Sequence, residues 1–258
     1  MFGKLLSAFR GKPALITAKG RAVPASDMIR FRPSAFEGRD LQTEPLPANT
    51  TLAWALFEEL EVHEQPEERS RVVHRFARHE RLLLRPTPSA GRGGDWYALS
   101  GDDVHGVRGW VRGEAIGRFV PTPPARELSP GELTVDVDLE HQTLSVWREQ
   151  QPIFATLISS GRAGDRTPRG LYRIQTKWAF GKMESRADAD EPYFVEAVPW
   201  AMYFSGRYAL HAAYWHNRFG QRMSHGCINL SPRDARRVFE LITPVLPKGW
   251  LLVHEHAG

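Results

Sequence analysis

His211-Ala212-Ala213-Tyr214-Trp215-His216 and, shortly after it, Ser224-His225-Gly226-Cys227-Ile228-Asn229 carry the densest chemistry in this chain. Three histidines and the chain's single cysteine fall between positions 211 and 227. With one cysteine, neither an intrachain disulfide nor a cysteine-cluster zinc site can form. A lone cysteine is ordinarily a small buried hydrophobe. Here its neighbours are polar, and Gly226 lets the backbone adopt angles closed to other residues or pass close to a bound carbonyl. A thiol that attacks an acyl carbon needs an imidazole beside it. His225 can share a face with Cys227 on an extended strand, whereas His211 has to arrive from a neighbouring segment. Backbone N–H groups at Gly226 and Cys227 offer an oxyanion site. Spacing leaves two rivals open: zinc held by His211, His216, His225 and Cys227, and a structural cysteine among satisfied histidines.

Downstream of the cysteine one helix is well signalled. Ser231 is a cap, Pro232 suits the first turn and Asp234 takes the capping-box position; Ala235, Val238, Phe239 and Ile242 recur at helical spacing until Pro244. Upstream the rhythm is β. ELTVDVDL, QTLSVW and PIFATLISS read as successive strands, followed by GLYRIQ, YFVEAVPW, AMYF and YALHAAYW. KWAFGKMESRADADEP reads as a polar excursion that forms a lid or wall beside a site. Residues 51–118 alternate short apolar runs with charged or Gly-rich turns and predict a small curved β-barrel, with an amphipathic helix as the alternative over 51–65. Pro121, Pro123 and Pro124 make a stiff join.

The 258 residues carry 34 Lys and Arg against 30 Asp and Glu, a net +4 scattered without a basic block, so a nucleic-acid arm is not expected. No apolar run reaches the roughly 18 residues of a membrane-spanning helix. At the start, Leu5, Leu6, Ala8 and Phe9 are cut short by Arg10 and Lys12, too little for a signal peptide.

The combination of His211, Ser224-His225-Gly226-Cys227-Ile228-Asn229 and Thr167-Pro168-Arg169-Gly170 resembles the L,D-transpeptidase (YkuD-like) family over residues 131–254. That resemblance implies a β-sandwich catalytic domain with one main helix after the cysteine motif. It implies Cys227 as nucleophile, His211 as the base with its ring oriented by the Ala212 carbonyl, and His225 and Gly226 shaping the pocket. Ser224, Asn229, Met202, Tyr203 and Tyr214 are implied as pocket or substrate contacts, and Arg222 as a partner for substrate carboxylates. Asn229 stands where many members carry arginine. No metal or other cofactor is implied. The expected substrates are peptidoglycan stem peptides, a tetrapeptide donor with an amine acceptor, or an anchored envelope protein in the acceptor's place. Related possibilities are an L,D-carboxypeptidase or endopeptidase of the same fold and a non-catalytic wall-binding protein. Residues 51–120 weakly resemble a bacterial SH3-like module. The expected organisation is an N-terminal extension over 1–50 packing on the other domains, the barrel over 51–120, a proline-rich linker over 121–130 and the catalytic domain over 131–258. Export to the periplasm or cell envelope follows from the substrate, with a leader upstream of this chain, and a monomer is expected.

Overall fold

Alternating apolar residues that a single strand cannot bury build two stacked sheets in the C-terminal half of this computed structural model. The structure describes residues 14–16, 22–27, 32–91, 93–101, 106–124, 131–185, 194–242 and 249–255. Two units are distinguished. The first, Met1–Arg32, contains the antiparallel pair β1 (Ala14–Ile16) and β2 (Ala22–Pro24). The second, Pro33–Gly258, contains everything that follows.

In the second unit β3 (Arg39–Asp40) precedes eight short strands: β4 (Thr51–Ala55), β5 (Glu59–His63), β6 (Val72–Ala77), β7 (Arg81–Leu84), β8 (Ser89–Gly91), β9 (Gly94–Ala98), β10 (Trp110–Arg112) and β11 (Ile116–Arg118). They form a five-stranded sheet, β6-β5-β10-β9-β8, and a three-stranded sheet, β11-β4-β7. Leu60, Val62, Phe76, Leu82, Tyr97 and Val111 fill a shared core. Residues 51–63 are therefore two strands rather than the alternative helix. β4 places both of its faces against protein, which a one-sided helix could not do.

The C-terminal half begins with β12 (Leu133–Asp138), β13 (Thr143–Arg148) and β14 (Gln151–Leu157), then β15 (Gly170–Arg173), β16 (Thr176–Glu184), β17 (Phe194–Ser205), β18 (Tyr208–Ala212), β19 (Ile228–Leu230), α1 (Pro232–Leu241) and β20 (Gly249–His254). A six-stranded sheet, β15-β20-β12-β13-β14-β3, faces a four-stranded one, β16-β17-β18-β19. Between them lie Val135, Val137, Leu144 and Val146 from the first, Met202, Phe204, Leu210, Ala212, Ile228 and Leu230 from the second, and Ala235, Val238 and Ile242 from α1. The helix starts where its sequence says it does: Ser231 Oγ accepts from the Asp234 N–H at 3.1 Å. The Asp234 carboxylate is turned inward, accepting from Gly38 N–H at 3.0 Å and Thr156 Oγ at 2.6 Å.

Two expectations are corrected. Residues 177–184 are not a polar excursion but most of β16, paired with β17 from Thr176↔Tyr203 to Glu184↔Phe194. The run reads as polar because one side of the hairpin faces solvent, where Trp178 and Phe180 stand exposed. Likewise YFVEAVPW and AMYF are not separate strands: from Phe194 onward they form the single β17, with positive φ at Ala197 and Trp200. The second half of the excursion, 186–193, lies outside the described residues, as do residues 125–130 of the linker and the first 13 residues.

Candidate active site

Parallel pairing of β18 with β19 is what brings the two motifs together. Leu210, His211 and Ala212 stand opposite Ile228, Asn229 and Leu230. Leu210, Ala212, Ile228 and Leu230 point into the sandwich core. By alternation, Ala209, His211, Asn229 and the adjoining Cys227 therefore share the opposite face of the four-stranded sheet. There Cys227, Tyr203 and Trp215 pack against a cluster that includes Ala201 and Ala209.

The turn before Cys227 is fastened by its own serine. Ser224 Oγ donates to the Cys227 carbonyl at 2.5 Å and accepts from the Gly226 N–H at 3.1 Å. Gly226 has φ +109°, and a side chain there would meet the Tyr208 ring at 2.4 Å, so only glycine fits. Residues 158–162, after β14, clamp the other side. Ser159 and Asn229 exchange both backbone hydrogen bonds at 2.9 Å, and Ser160 O and the Arg162 N–H hold Ser224 at 3.0 Å each.

His211 is almost wholly buried, its ring 5.8 Å from that of Trp215, and its Nδ1 lies 3.0 Å from the Ala212 carbonyl. A carbonyl can only accept, so Nδ1 carries the proton and Nε2 keeps its lone pair. Burial pushes the His211 pKa down to about 4, with His216 adding to the effect. Burial also pushes the Cys227 thiol up from its ordinary value, against the smaller opposing effects of an Ala209 backbone hydrogen bond and the Arg207 charge. Both charged forms are thus disfavoured, and the resting pair is a thiol and a neutral imidazole. The thiol donates to the Arg207 carbonyl at 3.8 Å. Tyr203 lies close enough that its phenol is raised by burial and then by Cys227. It also walls a cleft of about 400 Å³ with Gln175, Trp178, Phe180 and Lys182.

The other expected residues separate into groups. The Ala212 carbonyl meets the His211 ring, while its side chain is in the core. His225 faces away to Arg162, with its Nε2 2.8 Å from the guanidinium. Tyr214 stacks edge-on against Trp215 at 4.9 Å. Ser224 closes the turn, and the Gly226 N–H expected to serve an oxyanion site is held by that serine. Met202 is not on the pocket wall: it is fully buried in the sandwich core, on the face of β17 turned away from Cys227. Arg222 is not held out for a carboxylate ligand, because it donates to Leu139 O at 2.8 Å and pairs with Glu255 at 2.7 Å. Sequence reasoning passed over Arg207, whose carbonyl holds the thiol, and Tyr208, which packs on Gly226. It gave His216 the role of a zinc ligand or of a satisfied structural histidine; in the structure its Nε2 lies 3.1 Å from the Asn229 amide. A backbone carbonyl leaves no trace in residue type, so Arg207 had no signal to give.

The catalytic-domain model of the YkuD L,D-transpeptidases matches residues 132–248. Over these residues, somewhat under half of the chain, the sequence is similar to the L,D-transpeptidase catalytic-domain family. Among solved structures, an L,D-transpeptidase from Mycobacterium smegmatis is similar at 23% identity and TM-score 0.44, over 62% of this chain and 66% of that one. One from Stackebrandtia nassauensis is similar at 28% identity and TM-score 0.39, over 50% of this chain and 58% of that one. The catalytic domain of the E. faecium L,D-transpeptidase is similar at 25% identity and TM-score 0.42, over 48% of this chain and 98% of that domain. The chain thus spans less than two thirds of the first two. No curated protein matches it. Cys227, the chain's only cysteine, is a free thiol and lies within the matched residues.

Proposed function

We propose that this protein is an L,D-transpeptidase that acts on peptidoglycan stem peptides through a Cys227 thioester. The observation that supports it most is the shared sheet face of Cys227 and His211, with the His211 tautomer fixed by the Ala212 carbonyl so that Nε2 is a ready base. On that reading Nε2 takes the thiol proton as sulfur attacks the carbonyl of the third stem residue. The imidazolium then returns the proton to the departing amine of the terminal D-residue, leaving the thioester. A second stem's amine attacks the thioester, gives its proton to His211 and frees the thiol. An amine of an anchored envelope protein is a further acceptor of the same chemistry. Because burial disfavours the resting ion pair, proton transfer to Nε2 accompanies the attack of sulfur on the carbonyl rather than preceding it.

Residues 51–118 are read as an accessory, SH3-like module, and the substrate places the enzyme at the cell envelope as a monomer. Among the described residues no helix is long and apolar enough to cross a membrane. The test is mass spectrometry of the protein with a disaccharide-tetrapeptide, with and without a second stem, beside Cys227→Ala. A cross-linked product lacking one terminal D-residue, absent with the variant, is expected. Tripeptide alone would move the assignment to a carboxypeptidase, and no turnover of any stem would overturn it.

A further inference from the structure

Hydrogen-bond donors and acceptors around His216 fit in only one arrangement. The Arg218 backbone N–H reaches His216 Nδ1 at 3.2 Å, a bond that only a lone pair on Nδ1 can receive. Burial, with the Arg218 charge adding to it, brings the His216 pKa down to about 4, so the ring is neutral near pH 7 and its proton sits on Nε2. With Asn229 Nδ2 toward Nε2, two donors face each other at 3.1 Å, and Asn229 Oδ1 is buried without a partner. Turning the amide over resolves the conflict: Nε2–H donates to Oδ1, and the N–H₂ group takes the unpartnered place. Amide oxygen and nitrogen are told apart by such networks rather than by shape.

The residue that carries that unpartnered place adjoins His211 and Cys227. Asn229 is 97% buried by its 3% exposure, stands opposite His211 in the register and follows Cys227 by two residues on the same face. A buried N–H₂ group set in that place needs an acceptor, since leaving it unmet is costly. We propose that His216 is a positioning residue that locks the Asn229 amide with its N–H₂ group turned into the site, where it donates to a peptide carbonyl of the bound acyl donor. The donor's identity rests on the reading under Proposed function; the orientation does not.

The orientation is tested directly by long-range ¹H–¹⁵N correlation on the full chain. His216 is expected as the Nε2–H tautomer, and an Nδ1–H tautomer would overturn the proposal whatever the substrate. The substrate half is tested with the disaccharide-tetrapeptide and, in parallel, with iodoacetamide, which reads Cys227 without needing Asn229. His216→Leu is expected to raise the donor KM about 3- to 10-fold, the worth of one oriented hydrogen bond, and to leave the alkylation rate within about twofold. His216→Gln, which keeps an acceptor and a donor, is expected to recover most of the loss. An unchanged KM, or an equal fall in alkylation that marks a merely structural disturbance, would overturn the positioning role. No acyl-enzyme from the wild type would instead overturn the functional reading and, with it, the donor carbonyl.

Discussion

Replacing Gly226 by alanine attacks the site at its tightest point. Two costs are legible. At φ +109° an alanine is strained by roughly 1–2 kcal/mol, and its Cβ would sit 2.4 Å from Tyr208 Cε1 and 3.0 Å from Cδ1. Forcing a ring aside in a packed region costs about 1–3 kcal/mol. Together they come to about 2–5 kcal/mol, which for a unit of this size lowers Tm by roughly 5–20 °C. Thermal unfolding of wild type, Gly226→Ala, Tyr208→Ala and the double variant separates the two. Removing the ring should recover the clash but not the backbone strain, giving a coupling of about 1–3 kcal/mol. Because Cys227 is the next residue, acyl-enzyme formation in the single variant should fall about 100-fold. A Gly226→Ala protein that melts within about 2 °C of wild type, or a double variant with purely additive losses, would refute the reasoning.

Acid should weaken the fold. His79, His211 and His216 are each brought to about 4, chiefly by burial, whereas histidine titrates near 6.5 in an unfolded chain. The unfolded state binds more protons between those values, so this stability is complete above about pH 6.5 and declines as pH falls toward 4. Asp234, raised to about 6 by burial, and His254, raised by its bond to Asp136, act in the opposite sense. Three groups against two predict a lower urea midpoint at pH 5 than at pH 7, and a higher one would contradict the balance. With its thiol raised by burial, Cys227 should alkylate more slowly at pH 7 than a free cysteine and accelerate well into the alkaline range; a plateau below pH 8 would mean a resting thiolate. His211→Ala should cost about 10²–10⁴-fold in acylation by the stem peptide, measured as acyl-enzyme mass against time. Arg222→Ala breaks only an ion pair with Glu255 and a carbonyl contact, so the donor KM should stay within about twofold, and a tenfold rise would restore the carboxylate-binding role.

How much of this was readable from residues alone divides along physical lines. Local rules read well: Ser231, Pro232 and the Ala235–Val238–Ile242 spacing specify a helix without outside help. The β character of the catalytic half was equally plain, because period-2 patterns such as that of β12 have only one economical fold. What failed was orientation. Met202 and Tyr203 are neighbours on β17, and a one-residue difference sends one into the core and the other toward Cys227. Arg222 looked like a ligand for carboxylates because sequence cannot show Glu255 arriving from the far end of the chain. Ser224 was read as a substrate contact, yet a turn-closing hydroxyl and a ligand-binding one are the same letter. The turn itself was legible because Gly226 is a residue that the geometry requires.

One packing feature bears on modularity. Phe219, in the loop between His211 and Cys227, is buried in a cluster with Phe36 and Leu41 from the N-terminal side, Leu52 and Trp54 from β4, and Trp147 and Leu157 from the sandwich. The loop that spaces His211 from Cys227 is thus moored partly to β4, outside the segment that bears the reactive groups. Transplanting residues 131–258 alone into another protein would expose Trp147 and Phe219 and loosen that mooring. The upstream strands are in this respect foundation rather than attachment, and the two halves are constrained to change together.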